Sequence, residues 1–423
     1  MITLTEVVMF LLFSFMWGWT AYSLPALIVG VRQIRRRKDV NGNDGKSVDC
    51  PDLPFFSLIV PMKDEERVAG RILDALMKAN YPSHKYEILV VDGASVDQTS
   101  DICKRFESLY PGRVRYFRRN QAYGKPSALN YALKFAKGEI IGVFDADNLP
   151  QPDVLLKTAK YFKNQNLIAV QGLLSSINAE ENTLTKLIHY EGILHFNALF
   201  SGKDKLGLFV PFAGTCLFVR REVLEEVGGW RDDALSEDLE LSARLTEKGY
   251  HVKFAPDVKS WQENPSKFRQ LVGQRIRWFR GCLQVAFKYG GLLRRLDKRS
   301  LDAEVSFAGP FVMVLVLVIY LLSLVTIFRP FSLGIYANVL TQSMSLLTLL
   351  TLFVLGIGLA YATTPRKVSN AKWVPFIYLY WAIQVFVAFY AFMQIVFRRP
   401  GKWTKTSRTG AVTNQQLKQA RSD

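Results

Sequence analysis

Four groups of charged residues stand in order along the 423-residue chain: Asp92, Asp145-Ala146-Asp147, Glu237-Asp238, and Gln274-Arg275-Ile276-Arg277-Trp278. Their types and spacing set the chemistry open to them. Asp145 ends the apolar run Ile140 to Phe144, and a third residue on a strand points the same way as the first. Two such carboxylates offer hard oxygens to a divalent ion that also takes diphosphate oxygens and water. Glu237-Asp238 opens an amphipathic helical stretch and offers a base to take a proton from an attacking hydroxyl. Gln274, Arg277 and Trp278 fall at i, i+3 and i+4 and so share one helix face. An arginine there grips a diphosphate as charge builds on it, and a tryptophan with a glutamine makes a stacking, hydrogen-bonding wall for a sugar. Gly124-Lys125 sets an ammonium at a helix start, where it would neutralise phosphate. The small residues after Asp92 let a flat ligand approach the backbone, and the aspartate accepts hydrogen bonds from a base or ribose. The chemistry that fits is a nucleotide diphosphate and a metal held beside a general base.

Each group also has a purely architectural reading. Asp145 and Asp147 would cap the helix that starts near Pro152; Ser95 or Asp97 would cap the one after Asp92; Ser236 followed by acids is a helix-start pattern. The arginines and tryptophan of residues 269–280 would form an interfacial belt, and Arg269, Arg275 and Arg280 are assigned to it.

The elements that must position these residues alternate. Strands are expected over Phe55 to Pro61, Tyr86 to Asp92, Val114 to Phe117 and Glu139 to Asp145, and helices over Glu65 to Asn80, Val96 to Tyr110 and Ser127 to Ala136. That order predicts an α/β domain with a parallel, doubly wound sheet, whose ligands sit at the carboxyl ends of the strands. Leu184 to Ser201 reads as an amphipathic helix, Gly214 to Arg220 as a strand, Glu237 to Gly249 as a helix and Val252 to Ala255 as a strand. Phe268 to Leu283 mixes arginines with apolar residues and reads as a helix in a membrane interface.

Residues 7 to 30 are almost wholly apolar, and three further apolar runs follow at about 307–328, 339–362 and 373–397. Arg32 to Lys38 follow the first run and Arg398 to Arg408 the last, as on cytoplasmic flanks of membrane helices. The formal net charge of +17 is gathered at these edges, which argues for a bilayer rather than nucleic acid. The division expected is an anchor (1–30), a basic linker (31–54), the α/β domain (55–265), interfacial helices (266–304), transmembrane helices (305–398) and a basic tail (399–423). If the α/β domain is cytosolic, three later crossings would leave the basic tail outside, so one run is expected to be re-entrant or interfacial. The four cysteines form no zinc pair and no disulfide framework.

Together these residues resemble the membrane-embedded family-2 glycosyltransferases, the group that includes cellulose, hyaluronan and poly-N-acetylglucosamine synthases. The matching segments are Val60 to Glu66, Asp92, Gly124-Lys125, Asp145-Ala146-Asp147, Gly214-Thr215, Ser236-Glu237-Asp238 and Gln274 to Trp278. The chain departs from the family pattern at Lys63-Asp64 and at Gly93-Ala94-Ser95. The resemblance implies a GT-A fold on the cytosolic face of the cell membrane, a nucleotide-sugar donor (usually a UDP-sugar), and inverting transfer that leaves a β-linkage. By position, Pro61, Glu65, Asp92, Lys125, Asp145, Asp147 and Arg277 would bind the donor, with Asp147 taking Mg2+ or Mn2+. Asp238 would be the general base, and Glu237, Gln274 and Trp278 would hold a carbohydrate or glycolipid acceptor. Trp403, Thr406 and Arg408 in the tail would gate the donor site. Polysaccharide synthesis is the first expectation. Addition of one or a few sugars to a lipid is the alternative, because the C-terminal helices carry few polar residues for a channel. A non-catalytic nucleotide sensor would not need Asp238.

Overall fold

The computed structural model describes residues 4–40, 52–121, 124–328, 335–362, 368–400 and 410. The first apolar run forms α1 (Leu4–Val40), so the first ten residues read as linker continue the helix. Its second half lies on the α/β domain, and its packing is unusually close. A Cβ added to Gly30 would come within 1.7 Å of the Ala198 carbonyl oxygen, and one on Gly202 within 1.7 Å of that of Ala26. Only glycine lets two helix backbones meet in this way.

The expected strands are present as β1 (Phe56–Met62), β2 (Tyr86–Asp92), β3 (Val114–Arg118) and β4 (Ile140–Val143), joined by α2 (Glu66–Met77), α3 (Thr99–Leu109) and α4 (Lys125–Leu133). Alternation along β1 splits its side chains between two layers. Leu58, Val60 and Met62 pack with Val68 and Ile72 of α2 and Cys103 of α3, while Ile59 packs with Ala128 and Leu129 of α4. Both faces are thereby buried, which explains the continuous apolar runs. Pro61 sits in this central strand without cost. Pairing of β1 with β4 ends at Ile59↔Val143, so the missing N–H of Pro61 lies beyond the ladder on that side.

The second half departs from the expected parallel sheet. β5 (Leu149–Pro150), α5 (Val154–Phe162), β6 (Ala169–Ser176), β7 (Leu217–Arg220) and β8 (Val252–Gln262) complete a mixed eight-stranded sheet of order β3-β2-β1-β4-β7-β6-β8-β5. The β7 strand runs antiparallel to both β4 and β6. Between β6 and β7 the chain leaves the sheet through α6 (Thr183–Gly192), a π-helix (Ile193–Phe200) and α7 (Ser201–Leu206). That excursion brings the chain back to the same end of the sheet at which β6 leaves it, so β7 enters reversed. Then α8 (Arg221–Glu226) and α9 (Glu237–Glu247) cover the α4 face.

After β8 come α10 (Phe268–Tyr289), α11 (Lys298–Phe307), α12 (Gly309–Phe328), α13 (Ile335–Ala362) and α14 (Val374–Val396). Among the described residues, three segments are long and apolar enough to cross a membrane, at 10–34, 342–361 and 368–396. The pair α11–α12 is bent by 51° and passes that test only as a unit. Arg280 of α10 donates to the carbonyls of Arg399 at 2.7 Å and Pro400 at 3.3 Å. Gly410 N–H donates to Glu263 Oε2 at 3.3 Å, and Gly410 lies against Arg67 of α2. Gly410 thus lies on the side of the sheet domain. With a bilayer in place, an even number of full crossings must separate Glu263 from Gly410.

Candidate active site

The strand ends at one edge of the sheet carry two facing loops. Asp64 and Ala94 both adopt left-handed backbone, φ 53° and 59°. Such strain in non-glycine residues persists where the surroundings fix it. Here Lys63 Nζ donates to Ala94 O, Asp64 N–H to Ser95 Oγ at 2.9 Å, and Val96 N–H to Asp64 Oδ1 at 2.8 Å. The two departures from the family pattern are therefore partners of one another. Asp92, fully buried, accepts from Ser95 N–H at 2.8 Å and Tyr116 O–H at 2.7 Å, and so organises this loop. Glu65 precedes α2 and its N–H donates to Thr99 Oγ1 at 2.7 Å, tying the same two loops.

A cluster of charges follows at the ends of β4 and β7. Lys125, at the start of α4, lies 2.6 Å from Asp145 Oδ1 and 3.3 Å from Glu237 Oε1, and donates to Gly214 O at 2.7 Å. Burial alone would push the Lys125 ammonium down, but Asp145 and Glu237 outweigh it and hold it above its usual range. Gly214 has φ 80°, and a Cβ there would lie 3.2 Å from Asp238 Oδ2, so Asp238 completes the cluster. Burial and then neighbouring Glu237 raise the Asp238 carboxyl to about 7, against the pull of Lys125 and Arg277. A carboxylate poised near neutrality is what a general base requires. Two of the capping alternatives are not realised: Ser236 makes no side-chain cap to α9, and α5 starts after Asp153, not at the aspartate pair. The third holds beside the functional reading, since Asp97 Oδ1 accepts from Thr99 N–H at 3.0 Å at the start of α3.

The aspartate pair is not the end of a strand. Asn148 N–H donates to Asp145 O at 3.0 Å, closing a turn, and the two carboxylates take different partners. Asp145 meets Lys125, while buried Asp147 accepts from Glu263 N–H at 3.2 Å. Arg71 braces this edge, donating to Glu263 Oε1 at 2.8 Å and to Asp147 O at 3.0 Å. Among the described residues no three His, Cys, Asp or Glu side chains converge as a complete metal shell. The donors present fit a hard divalent ion that shares its shell with a diphosphate.

The α10 helix closes the site. Gly281 abuts Ser236, since a Cβ there would come 2.0 Å from Ser236 Oγ. Arg277 and Trp278 lie one turn back on that face, and Gln274 another turn. Arg277 acts on Asp238 electrostatically, and Trp278 is 37% exposed. Arg275 and Arg280 are not belt residues. Arg275 pairs with Glu191, and Arg280, which is buried, binds Gln394 Oε1 at 2.9 Å. Trp403, Thr406 and Arg408 lie outside the described residues.

Sequence reasoning missed several participants. Thr215 Oγ1 accepts from Asp145 N–H at 2.9 Å and donates to Asn148 Oδ1, so it sets the aspartate turn. Gly214-Thr215 stood out as a motif but gave no role. Arg71, Glu191 and Glu263 carried no local signal at all.

Residues 51–281 match the family described as glycosyltransferase like family 2. A probable glycosyltransferase of Bacillus subtilis is 33% identical over 258 residues, 59% of this chain and 60% of that protein. The beta-monoglucosyldiacylglycerol synthase of a Nostoc species is 32% identical over 65% of this chain and 57% of its own length. The chain thus spans about three fifths of these relatives. A mannosyltransferase from Pyrobaculum calidifontis, solved with GDP-Man and Mn2+, superposes with a TM-score of 0.60 at 21% identity, covering 94% of this chain and 100% of that one. The fold is therefore GT-A-like, and with a family match over more than half of its length the chain belongs to glycosyltransferase family 2.

Proposed function

We propose that this enzyme moves a sugar from a nucleoside-diphosphate donor, of the UDP-sugar class, to the hydroxyl of a lipid acceptor at the cytosolic face of the cell membrane. The observation that carries the reading is the Asp145–Lys125–Glu237–Asp238 cluster, with Arg277 acting on Asp238. Asp238 takes the acceptor proton as the hydroxyl oxygen attacks the anomeric carbon from the face opposite the diphosphate. One displacement inverts the centre to a β-linkage. Lys125 and Arg277 face the charge that develops on the departing diphosphate. Asp147 would hold a divalent ion, Mg2+ or Mn2+, which supplies further neutralisation of that leaving group when bound. The loops led by Asp64 and Ala94, with Pro61, Glu65 and Asp92 behind them, form the wall offered to the base. Glu237, Gln274 and Trp278 face the acceptor.

A lipid acceptor is favoured over an extruded polymer by how the helices pack. Phe279, Ala388 and Ala391 are buried together with Ile276 and Met313 where α10, α12 and α14 meet. Leu355, Leu359, Val374 and Ile377 close on Tyr190 and Ile193 beside α13. Tyr380, Trp381 and Gln384 of α14 are tied to Glu191, and Gln394 to Arg280. A polysaccharide channel needs polar lining, and these seams are apolar. The return of Gly410 to Glu263 further supports two crossings after the sheet domain, with the bent α11–α12 unit dipping in without crossing.

The test is incubation of the detergent-purified chain with radiolabelled UDP-sugars, Mg2+ or Mn2+ and mixed lipid micelles, reading UDP release and the partition of label. Label in the organic phase is the expected result. Label in ethanol-insoluble polymer would refute the lipid acceptor, and no UDP release from any donor would refute the transferase.

A further inference from the structure

We infer that Glu191 is a positioning residue for Trp278, acting through Arg275, and that this pair sets how firmly the acceptor is held. The second half rests on the reading of Trp278 as acceptor wall. Glu191 is the penultimate residue of α6, one residue short of the junction with the π-helix, a local geometry that often accompanies function. Both its oxygens are fully engaged. Oε1 accepts from Trp381 Nε1–H at 3.2 Å and from the Gln384 side-chain amide at 3.1 Å. Oε2 accepts from Arg275 and from Tyr380 O–H at 3.2 Å, and the Tyr380 oxygen in turn lies 3.2 Å from Arg275 Nη2.

Arg275 is thereby pinned between α6 and α14, and its Cζ sits 4.6 Å from the Trp278 ring centroid. The two are i and i+3 on α10, so the guanidinium backs the indole while the exposed part of Trp278 faces outward. Stacking depends on the guanidinium plane, and Glu191 with Tyr380 fixes that plane. Stability alone is a poor reason for this pair. Removing two charges from water between helices costs about as much as the pairing returns, and apolar side chains of similar size would hold the seam as well. What a half-buried carboxylate with four donors adds is a single orientation for Arg275.

The experiment uses the full chain in detergent, labelled with 5-fluorotryptophan, which gives eight fluorine resonances for its eight tryptophans. Trp278→Phe assigns the relevant one. Glu191→Gln and Arg275→Lys are expected to shift or broaden the Trp278 resonance. Apart from Trp381, which loses its own bond to Glu191, the other resonances and UDP affinity should stay within twofold of the parent. In transfer from UDP-glucose to dioleoylglycerol, both variants should raise acceptor KM by about tenfold, in the range of couplings between contacting side chains, with donor KM unchanged. Glu191→Gln should add nothing in a Trp278→Phe background. An unmoved Trp278 resonance overturns the inference. So does a loss of UDP affinity that parallels the acceptor effect, since that marks a merely structural role. A Trp278→Phe enzyme with parental acceptor KM instead overturns the acceptor-wall reading, even where the resonance responds.

Discussion

Replacing Asp238 by asparagine keeps the shape of the side chain and removes both its charge and its ability to take a proton. The carboxyl rises from 3.8 to about 7, chiefly through burial and then Glu237. At about 1.4 kcal/mol per tenfold, that climb corresponds to about 4 kcal/mol, an upper figure because solvent reaches the half-buried group. The sign follows from where the proton is held. A folded-state value above the unfolded one means that the native protein binds the proton more tightly. Ionisation then costs nothing below about pH 4 and destabilises progressively as pH rises from about 4 to 7. Asp238→Asn escapes that cost, so at pH 8 the variant should melt several degrees higher than its parent, and at pH 4 the two should nearly coincide. Its turnover should fall by roughly 10²- to 10⁴-fold, the usual worth of a general base, while UDP affinity is retained. Thermal melts by intrinsic fluorescence at the two pH values, UDP titration and UDP-release rates decide the matter. A variant that melts lower at pH 8, or that turns over at the parental rate, refutes the assignment.

Three further outcomes follow from the same cluster. Glu237→Gln removes the charge that raises Asp238, so the lower limb of the pH profile of kcat/KM should move to more acid pH; a move toward alkaline pH would count against the coupling. Gly214→Ala forces a side chain into left-handed backbone 3.2 Å from Asp238 Oδ2, and should reduce turnover at least tenfold with modest loss of stability, read by melting and rate together. Lys125→Met leaves Asp145 and Glu237 without their shared cation; UDP affinity should drop by about 10- to 100-fold, measured by calorimetry, and parental affinity would remove Lys125 from the donor site.

Much of the sheet domain was legible because its signals are local. The run Ile88 to Val91 is apolar at every position, as a strand buried on both faces must be, and it ends in the Asp92 carboxylate that the fold then uses. The helix carrying Gln274, Arg277 and Trp278 was readable from spacing alone. What escaped depends on partners distant in the chain. Arg275 looked like a solvated belt residue because Glu191 lies 84 positions away and Tyr380 105. Arg280 is fixed by Gln394, 114 positions away. The reversed β7 was illegible because strand direction is set by where the preceding helices deliver the chain, not by the residues of Leu217–Arg220. Asp145 and Asp147 were expected side by side on a strand, but the hydrogen bond from Asn148 folds them into a turn, which no pattern of apolar residues announces.

The crossing of Gly30 and Gly202 has a practical corollary. Tyr22 O–H also donates to buried Asp302 Oδ1 at 2.7 Å, so the second half of α1 is sewn into the catalytic body by backbone contact and by a polar stitch. Cutting away the first forty residues to obtain a soluble fragment would uncover the groove of Ala198 and leave the Oδ1 of Asp302 without the Tyr22 hydroxyl, its Oδ2 still held by Lys203 and the Phe209 N–H. Biochemists seeking a tractable preparation should trim the apolar overhang before Tyr22 and leave the rest of that helix in place.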